Sequence, residues 1–171
     1  MIGGTTIRTD RLTIEGKSRA GNETWFKVRE LGVVLDIGRC PDTVVGTANV
    51  FITHAHLDHA LGIPFYAAQR RLYRLGAGTV HVPRENVDDY RALMALHEKL
   101  EGTQYPLNLV GMEPGDVVRL RRDLCVRAHR SPHRVVANAY EFLEVRKKLR
   151  REFAGSSEDE IIAMRSNGPD P

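Results

Sequence analysis

Cysteine is scarce in this sequence: Cys40 and Cys125 are the only two in 171 residues, far apart and outside any CxxC-type spacing. That argues against a disulfide-stapled scaffold or a cysteine-based zinc knuckle, and both thiols read as buried or incidental. Long apolar runs are missing too, since no stretch approaches the roughly 18 consecutive apolar residues of a membrane span. The opening "MIGGTTIRTDRL" lacks the apolar core of a secretory leader, so a cytoplasmic setting is expected. Internal repeats, low-complexity tracts and dividing linkers are absent as well, which leaves residues 1–171 as one domain.

Charge of one sign is in only mild excess, 25 Lys and Arg against 22 Asp and Glu, for a formal +3. The basic residues are clustered locally in "QRRLYR", "RLRRD" and "VRKKLRRE". Such clusters suit a polyanionic partner, and equally the solvated face of a helix.

What is present is an alternating α/β order. "RLTIEG", "TWFKVRE", "GVVLDIG" and "NVFIT" read as strands, rich in β-branched and aromatic residues and bounded by turn formers. A helix is predicted over residues 64–75, with Pro64 suited to its first turn and Gly76 placed to end it. A strand "TVHV" and a second helix, "ENVDDYRALMALHEKLEG", follow. In that helix Val87, Tyr90, Leu93, Met94, Leu96 and Leu100 fall mainly on one face, a stripe expected to pack in the core. "MEPGDVVRLRRDLCVRAHR" reads as a turn and two strands, "NAYEFLEV" as another strand, and "SEDEIIAMRSNG" as a short final helix.

The chemistry lies in "FITHAHLDHALGIP", residues 51–64, where His54, His56, Asp58 and His59 follow a predicted strand directly. A strand end is rigid, and a tight loop there can turn His54 and His56 toward one point and Asp58 and His59 toward a neighbouring one. Neutral imidazoles with a carboxylate suit Zn²⁺, with Mn²⁺ or Fe²⁺ as further candidates. Four such ligands in six residues are more than one ion takes from a single loop, so a two-ion site is the better reading. His81 and His97 are expected to pack or cap. Either His129 or His133 can complete the sphere of His54 and His56; spacing alone does not choose.

With these residues in hand, the chain resembles the metallo-β-lactamase-fold hydrolases, and more closely the ribonuclease Z family of tRNA 3′-processing endonucleases in its short form. The resemblance runs in order through "VVLDIGRCPD", "VFITHAHLDHALGIPFYAAQRRLYRL", "VHVP", "LRRDLCVRAH", "HRVVANAYEF" and "KKLRREFAGSSEDEI". It implies His54, His56, Asp58 and His59 as metal ligands, and it selects His133, followed seven residues later by Tyr140, as the next one. It implies that Asp36, in the strand-ending "DxG", braces the histidine loop by hydrogen bonds, where the residues alone allow a simple turn role equally. It further implies precursor tRNA as substrate, two zinc ions in the family with one well supported here, and phosphodiester hydrolysis by a metal-activated water. Asp58 would orient or deprotonate that water. Arg146, Lys147, Lys148, Arg150 and Arg151 lie where the family diverts toward its tRNA-binding arm and would contact backbone phosphates. The apolar and arginine sides of "GIPFYAAQRRLYRL" fit either a subunit contact or core packing plus solvent.

The sequence departs from the family in two places. Around Tyr140 the family has a Gly-Tyr pair preceded by Pro and a small polar residue, whereas here Val136, Ala137, Asn138 and Ala139 precede the tyrosine. Losing that glycine is expected to alter how closely the backbone approaches the metal loop. The family's later bridging aspartate of "GDT" type and its late histidine have no counterpart before Pro171. The expected fold is therefore an α/β metallo-β-lactamase-type αββα sandwich represented by its N-terminal half and part of the second, incomplete at the C-terminus. An apolar sheet face would then need cover from a second copy or a complementing C-terminal segment. The competing functions are a metallo-β-lactamase-fold hydrolase of small esters or cyclic nucleotides, and a non-catalytic metal- or RNA-binding half-domain.

Overall fold

A computed structural model describes residues 4–145. The predicted final helix and the basic cluster at residues 146–151 lie outside the described residues. Seven strands form one sheet in sequence order: β1 (Thr5–Arg8), β2 (Thr13–Arg19), β3 (Glu23–Val28), β4 (Val33–Ile37), β5 (Asn49–Phe51), β6 (Gly78–Pro83) and β7 (Leu107–Met112). β1 to β4 are antiparallel, whereas β4 to β7 run parallel and are joined by helical crossovers. The helices are α1 (Asp42–Val45), α2 (Leu57–Ala60), α3 (Ile63–Leu72) and α4 (Val87–Glu101). A second sheet of three antiparallel strands is formed by β8 (Val117–Arg121), β9 (Leu124–Arg130) and β10 (Asn138–Glu144).

Parallel strands are covered on both faces, which is why β4 and β5 are nearly all apolar. Val34, Val50, Ile52, Val80 and Val82 point to one side and pack against Ile63, Tyr66 and Ala67 of α3 and Val87, Tyr90 and Met94 of α4. Val33, Phe51 and Met112 point to the other and pack against Val126 and Ala128 of β9 and Tyr140 and Phe142 of β10. The layers are thus helices, large sheet, small sheet. No helix among the described residues covers the outer face of the small sheet.

Several expectations are corrected. α3 ends at Leu72 rather than Leu75, because the left-handed residue that closes it is Arg74 (φ 55°), not Gly76. The Gly76 carbonyl instead accepts two hydrogen bonds from the buried Arg70 guanidinium, at 2.9 and 2.7 Å, so one arginine of "QRRLYR" is committed to the interior. In α4 only half of the predicted stripe is core: Val87, Tyr90 and Met94 are buried, while Leu93, Leu96 and Leu100 are exposed. The apolar sheet face expected to need cover from another segment is covered within the described residues, because the small sheet packs on the large one. With Val118, Leu120, Val126, Ala128, Tyr140 and Phe142 turned inward, the alternation puts Arg119, Arg127, His129 and Glu141 outside. Strands β1 and β7, the edges of the large sheet, were not expected.

Candidate metal centre

The site is built at the C-terminal ends of the parallel strands β4 and β5, the position where open α/β sheets gather their chemistry. In β4 the pairing with β3 steps from Phe26↔Leu35 to Trp25↔Ile37, so Asp36 is the extra residue of a β-bulge. Its φ is +51°, a left-handed conformation that costs a non-glycine residue energy. A bulge re-aims its side chain, and here the carboxylate is turned onto the histidine loop. Asp36 Oδ1 accepts the Thr53 N–H at 2.7 Å, its two oxygens accept the Thr53 hydroxyl at 3.0 and 2.9 Å, and Oδ2 accepts His59 Nδ1–H at 2.7 Å. Asp36 is therefore a brace, beyond the plain turn role.

These bonds assign a tautomer. Thr53 has one hydroxyl proton, which goes to the acceptor-only carboxylate, so at 2.8 Å its oxygen accepts from His54 Nδ1–H. His54 Nε2 is left with its lone pair facing His56 Nδ1 at 3.0 Å. His133 Nε2 reaches the same His56 atom at 3.4 Å, and one ligand atom from each of His54, His56 and His133 lies within 4.8 Å of the others. A tetrahedral Zn²⁺ with Zn–N of about 2.05 Å separates its nitrogens by roughly 3.4 Å. The three imidazoles fit such an ion. Burial first, and the neighbouring His59 second, push the His54 pKa down to about 4 and keep it neutral, the form that binds metal.

His133 arrives from the small sheet. The loop between β9 and β10 is tied to the histidine loop by a bridge pairing His54 with Ala137 and by the Asn138 N–H donating to the Thr53 carbonyl at 2.8 Å. Asn138 Nδ2 also donates to the Met112 carbonyl at 2.8 Å, which fastens β10 to the end of β7. The backbone of this loop approaches the histidine loop closely with Ala139 before Tyr140. The Tyr140 hydroxyl donates to the Ile52 carbonyl at 2.8 Å, steadying the root of the loop.

Asp58 and His59 lie beside this triad, not in it. Raised by the hydrogen bond to Asp36, the His59 pKa sits above the ordinary imidazole value, and His59 Nε2 is 3.5 Å from Asp58 Oδ2. Asp58 Oδ2 accepts the Gly21 N–H at 2.9 Å, so the β2–β3 hairpin tip closes over this flank. Gly62, between α2 and α3, holds the loop from behind: a Cβ there would stand 2.6 Å from the Cys40 nitrogen. His129 is elsewhere, paired with Glu141 at 2.9 Å on the outer face of the small sheet. His81 packs as expected, stacked on Phe51 at 4.2 Å, and caps nothing: both ring nitrogens are buried without partners. Thr53, Gly21 and Asn138 were missed by the sequence reading. Thr53 sits inside the quoted motif, but a threonine before a histidine carries no pattern of its own.

A scan against models of known protein families finds no match. The "Nuclear ribonuclease Z" of Triticum aestivum is 36% identical over 155 residues, which cover 91% of this chain and 88% of that protein. The chain belongs to the ribonuclease Z family. "tRNase Z TRZ1" of Arabidopsis thaliana is 35% identical over 91% of this chain and 55% of its own length. For "tRNase Z TRZ2, chloroplastic" of the same plant the figures are 35%, 95% and 46%. The chain therefore spans about half the length of these two curated relatives. Among solved structures, human tRNase Z, short form, superposes with a TM-score of 0.53 at 17% identity, over 83% of this chain and 63% of that one. The metallo-β-lactamase-fold protein YhfI of Bacillus subtilis gives 0.52 at 10%, over 82% and 50%. The fold is that of the metallo-β-lactamases.

Proposed function

We propose that the chain is the metal-holding part of a ribonuclease Z-type phosphodiester hydrolase that removes the 3′ trailer from precursor tRNA. The observation that carries this reading is the convergence of His54, His56 and His133 on one point, with Asp36 and Thr53 fixing the ring of His54. Zn²⁺ is the proposed ion, because the converging donors are three imidazoles; bound there, it would supply Lewis acidity toward a phosphoryl oxygen and acidify a water. The protein's own share is geometric and protonic. His54 presents Nε2, and Asp36 keeps it there. Asp58, held at Oδ2 by the Gly21 amide, keeps Oδ1 for the proton of the attacking water. His59, held by Asp36, turns Nε2 toward Asp58 and with it offers the beginning of a second ion site.

Precursor tRNA is the proposed substrate because the relatives are named for tRNA cleavage, with Arg146, Lys147, Lys148, Arg150 and Arg151 as backbone contacts on sequence grounds. A second copy of the chain is the proposed partner on the helical face, where exposed Leu57, Leu61, Phe65 and Leu93 line a groove of about 530 Å³. A complementing C-terminal segment would supply the bridging aspartate. We propose a cytoplasmic setting; relatives carry nuclear and chloroplastic names, and no helix among the described residues is long and apolar enough to cross a membrane.

The test is to incubate the zinc-loaded chain with a 3′-extended tRNA. The expected product is a tRNA ending in a 3′-hydroxyl, lost in His56→Ala and in Asp58→Asn. Cleavage of bis(p-nitrophenyl) phosphate without cleavage of RNA would move the assignment to a small-ester hydrolase. Zinc binding with neither activity would leave a metal-binding module.

A further inference from the structure

The loop that delivers His133 also carries charge that the fold does not use. Arg130 ends β9 and Arg134 follows the metal histidine directly; both are exposed. Other arginines of the fold are committed: Arg127 to Glu141, Arg121 to Asp123, Arg84 to Asp116 and Arg11 to Glu144. Among the described residues, the side chains of Arg130 and Arg134 form no hydrogen bond or ion pair. They line one groove of about 540 Å³ together with His133, Val135 and Val136, and among the described residues Glu85 is the one acidic residue on its wall.

The groove therefore starts at a metal-holding imidazole and continues between two uncommitted guanidiniums, past half-exposed valines that offer an apolar floor. Guanidinium forks match phosphate oxygens in pairs, and a cation left unpaired beside a reaction centre gains most from a polyanion brought there by the reaction itself. A charged groove of this kind can track a single strand and take its phosphates one at a time. We infer that Arg130 and Arg134 grip backbone phosphates of single-stranded RNA next to the scissile one, making the β9–β10 loop at once a metal ligand and a strand guide. This rests on the proposed phosphodiesterase reading and adds to it where the strand lies.

The test is the salt dependence of binding of a fluorescent single-stranded RNA to the full chain, metal-free so that no ion contributes. Each lost phosphate contact on a single strand lowers the slope of log K against log salt by about 0.7. The double variant Arg130→Ala/Arg134→Ala is expected to lose about 1.4 from the slope. Arg134→Lys should keep its share of the slope, and Arg91→Ala, paired with Asp88 on α4, should leave the slope unchanged. A slope unchanged in the double variant, or lowered equally in Arg91→Ala, overturns the strand guide while leaving the hydrolase reading intact. Absence of RNA binding by the unaltered chain, with zinc binding retained, overturns both. Neither side chain is bonded among the described residues, so zinc affinity and thermal unfolding should match the parent; if the double variant does not fold, Arg134→Gln alone carries the test with half the slope change.

Discussion

Asp36 is the residue on which the metal loop turns. It is 4% exposed, holds a left-handed backbone, and accepts from Thr53 and His59 at once. Asp36→Asn keeps shape and volume but replaces one acceptor oxygen by an NH₂ donor, which cannot satisfy both Thr53 Oγ1–H and His59 Nδ1–H. The tautomer of His54 then loses its anchor. Outer hydrogen-bond partners of metal histidines contribute about 10- to 100-fold in affinity. Asp36→Asn is expected to weaken zinc binding by that factor in competition with a chromophoric chelator, while the fold persists in circular dichroism. In the metal-free protein the same pair has a pH signature. The folded-state pKa of His59 is raised, so its contribution to stability is complete below the ordinary imidazole pKa and is lost as pH rises through the raised value.

At the scale of an element, β6 shows the opposite sign. His81 lies between the two sheets at the register position beside Phe51, with both ring nitrogens unpartnered. Burial pushes its pKa down to about 4. Unfolding lets it take a proton anywhere between that value and about 6.5, so its contribution is present above pH 6.5 and is lost as pH falls toward 4. Full protonation in this range costs on the order of 3 kcal/mol. His81→Phe, which keeps a ring on Phe51, is expected to retain more stability between pH 6.5 and 4 than the parent in urea titrations. If the two curves stay parallel across that range, His81 does not titrate as argued.

The same strands show what could be read in advance and why. β4, β5 and β6 were legible because buried parallel strands are continuous apolar runs, and His54, His56, Asp58 and His59 because ligand types crowd one loop. His133 needed the family resemblance, since His129 is equally placed by spacing and only β9 pairing with β10 sends it outward to Glu141. Exposed β1 carries little pattern at all, and the bulge at Asp36 is invisible in "VVLDIG" because pairing, not composition, creates it. Leu93, Leu96 and Leu100 misled for the converse reason: helical spacing reports an apolar face without saying what covers it.

Among the described residues, that apolar helical face lies exposed. Burial of the metal loop from behind depends on α2 and α3, yet their outer side exposes Leu57, Leu61 and Phe65 across a groove from Leu93 of α4. The small sheet, by contrast, turns Arg127, His129 and Glu141 outward, with Glu141 accepting from both Arg127 and His129. A second copy seated on the helical face would bury leucines from both chains around a twofold axis, and Leu57 would carry that contact to within one residue of Asp58. The chain is then expected to sediment as a dimer at micromolar concentration. Phe65→Asp, half-exposed and bonded to nothing in the fold, should shift it to monomer without lowering zinc affinity, because the triad takes no ligand from that side. A chain that sediments as a monomer before the change, or a Phe65→Asp variant that remains dimeric, would leave this face without a second copy as its occupant.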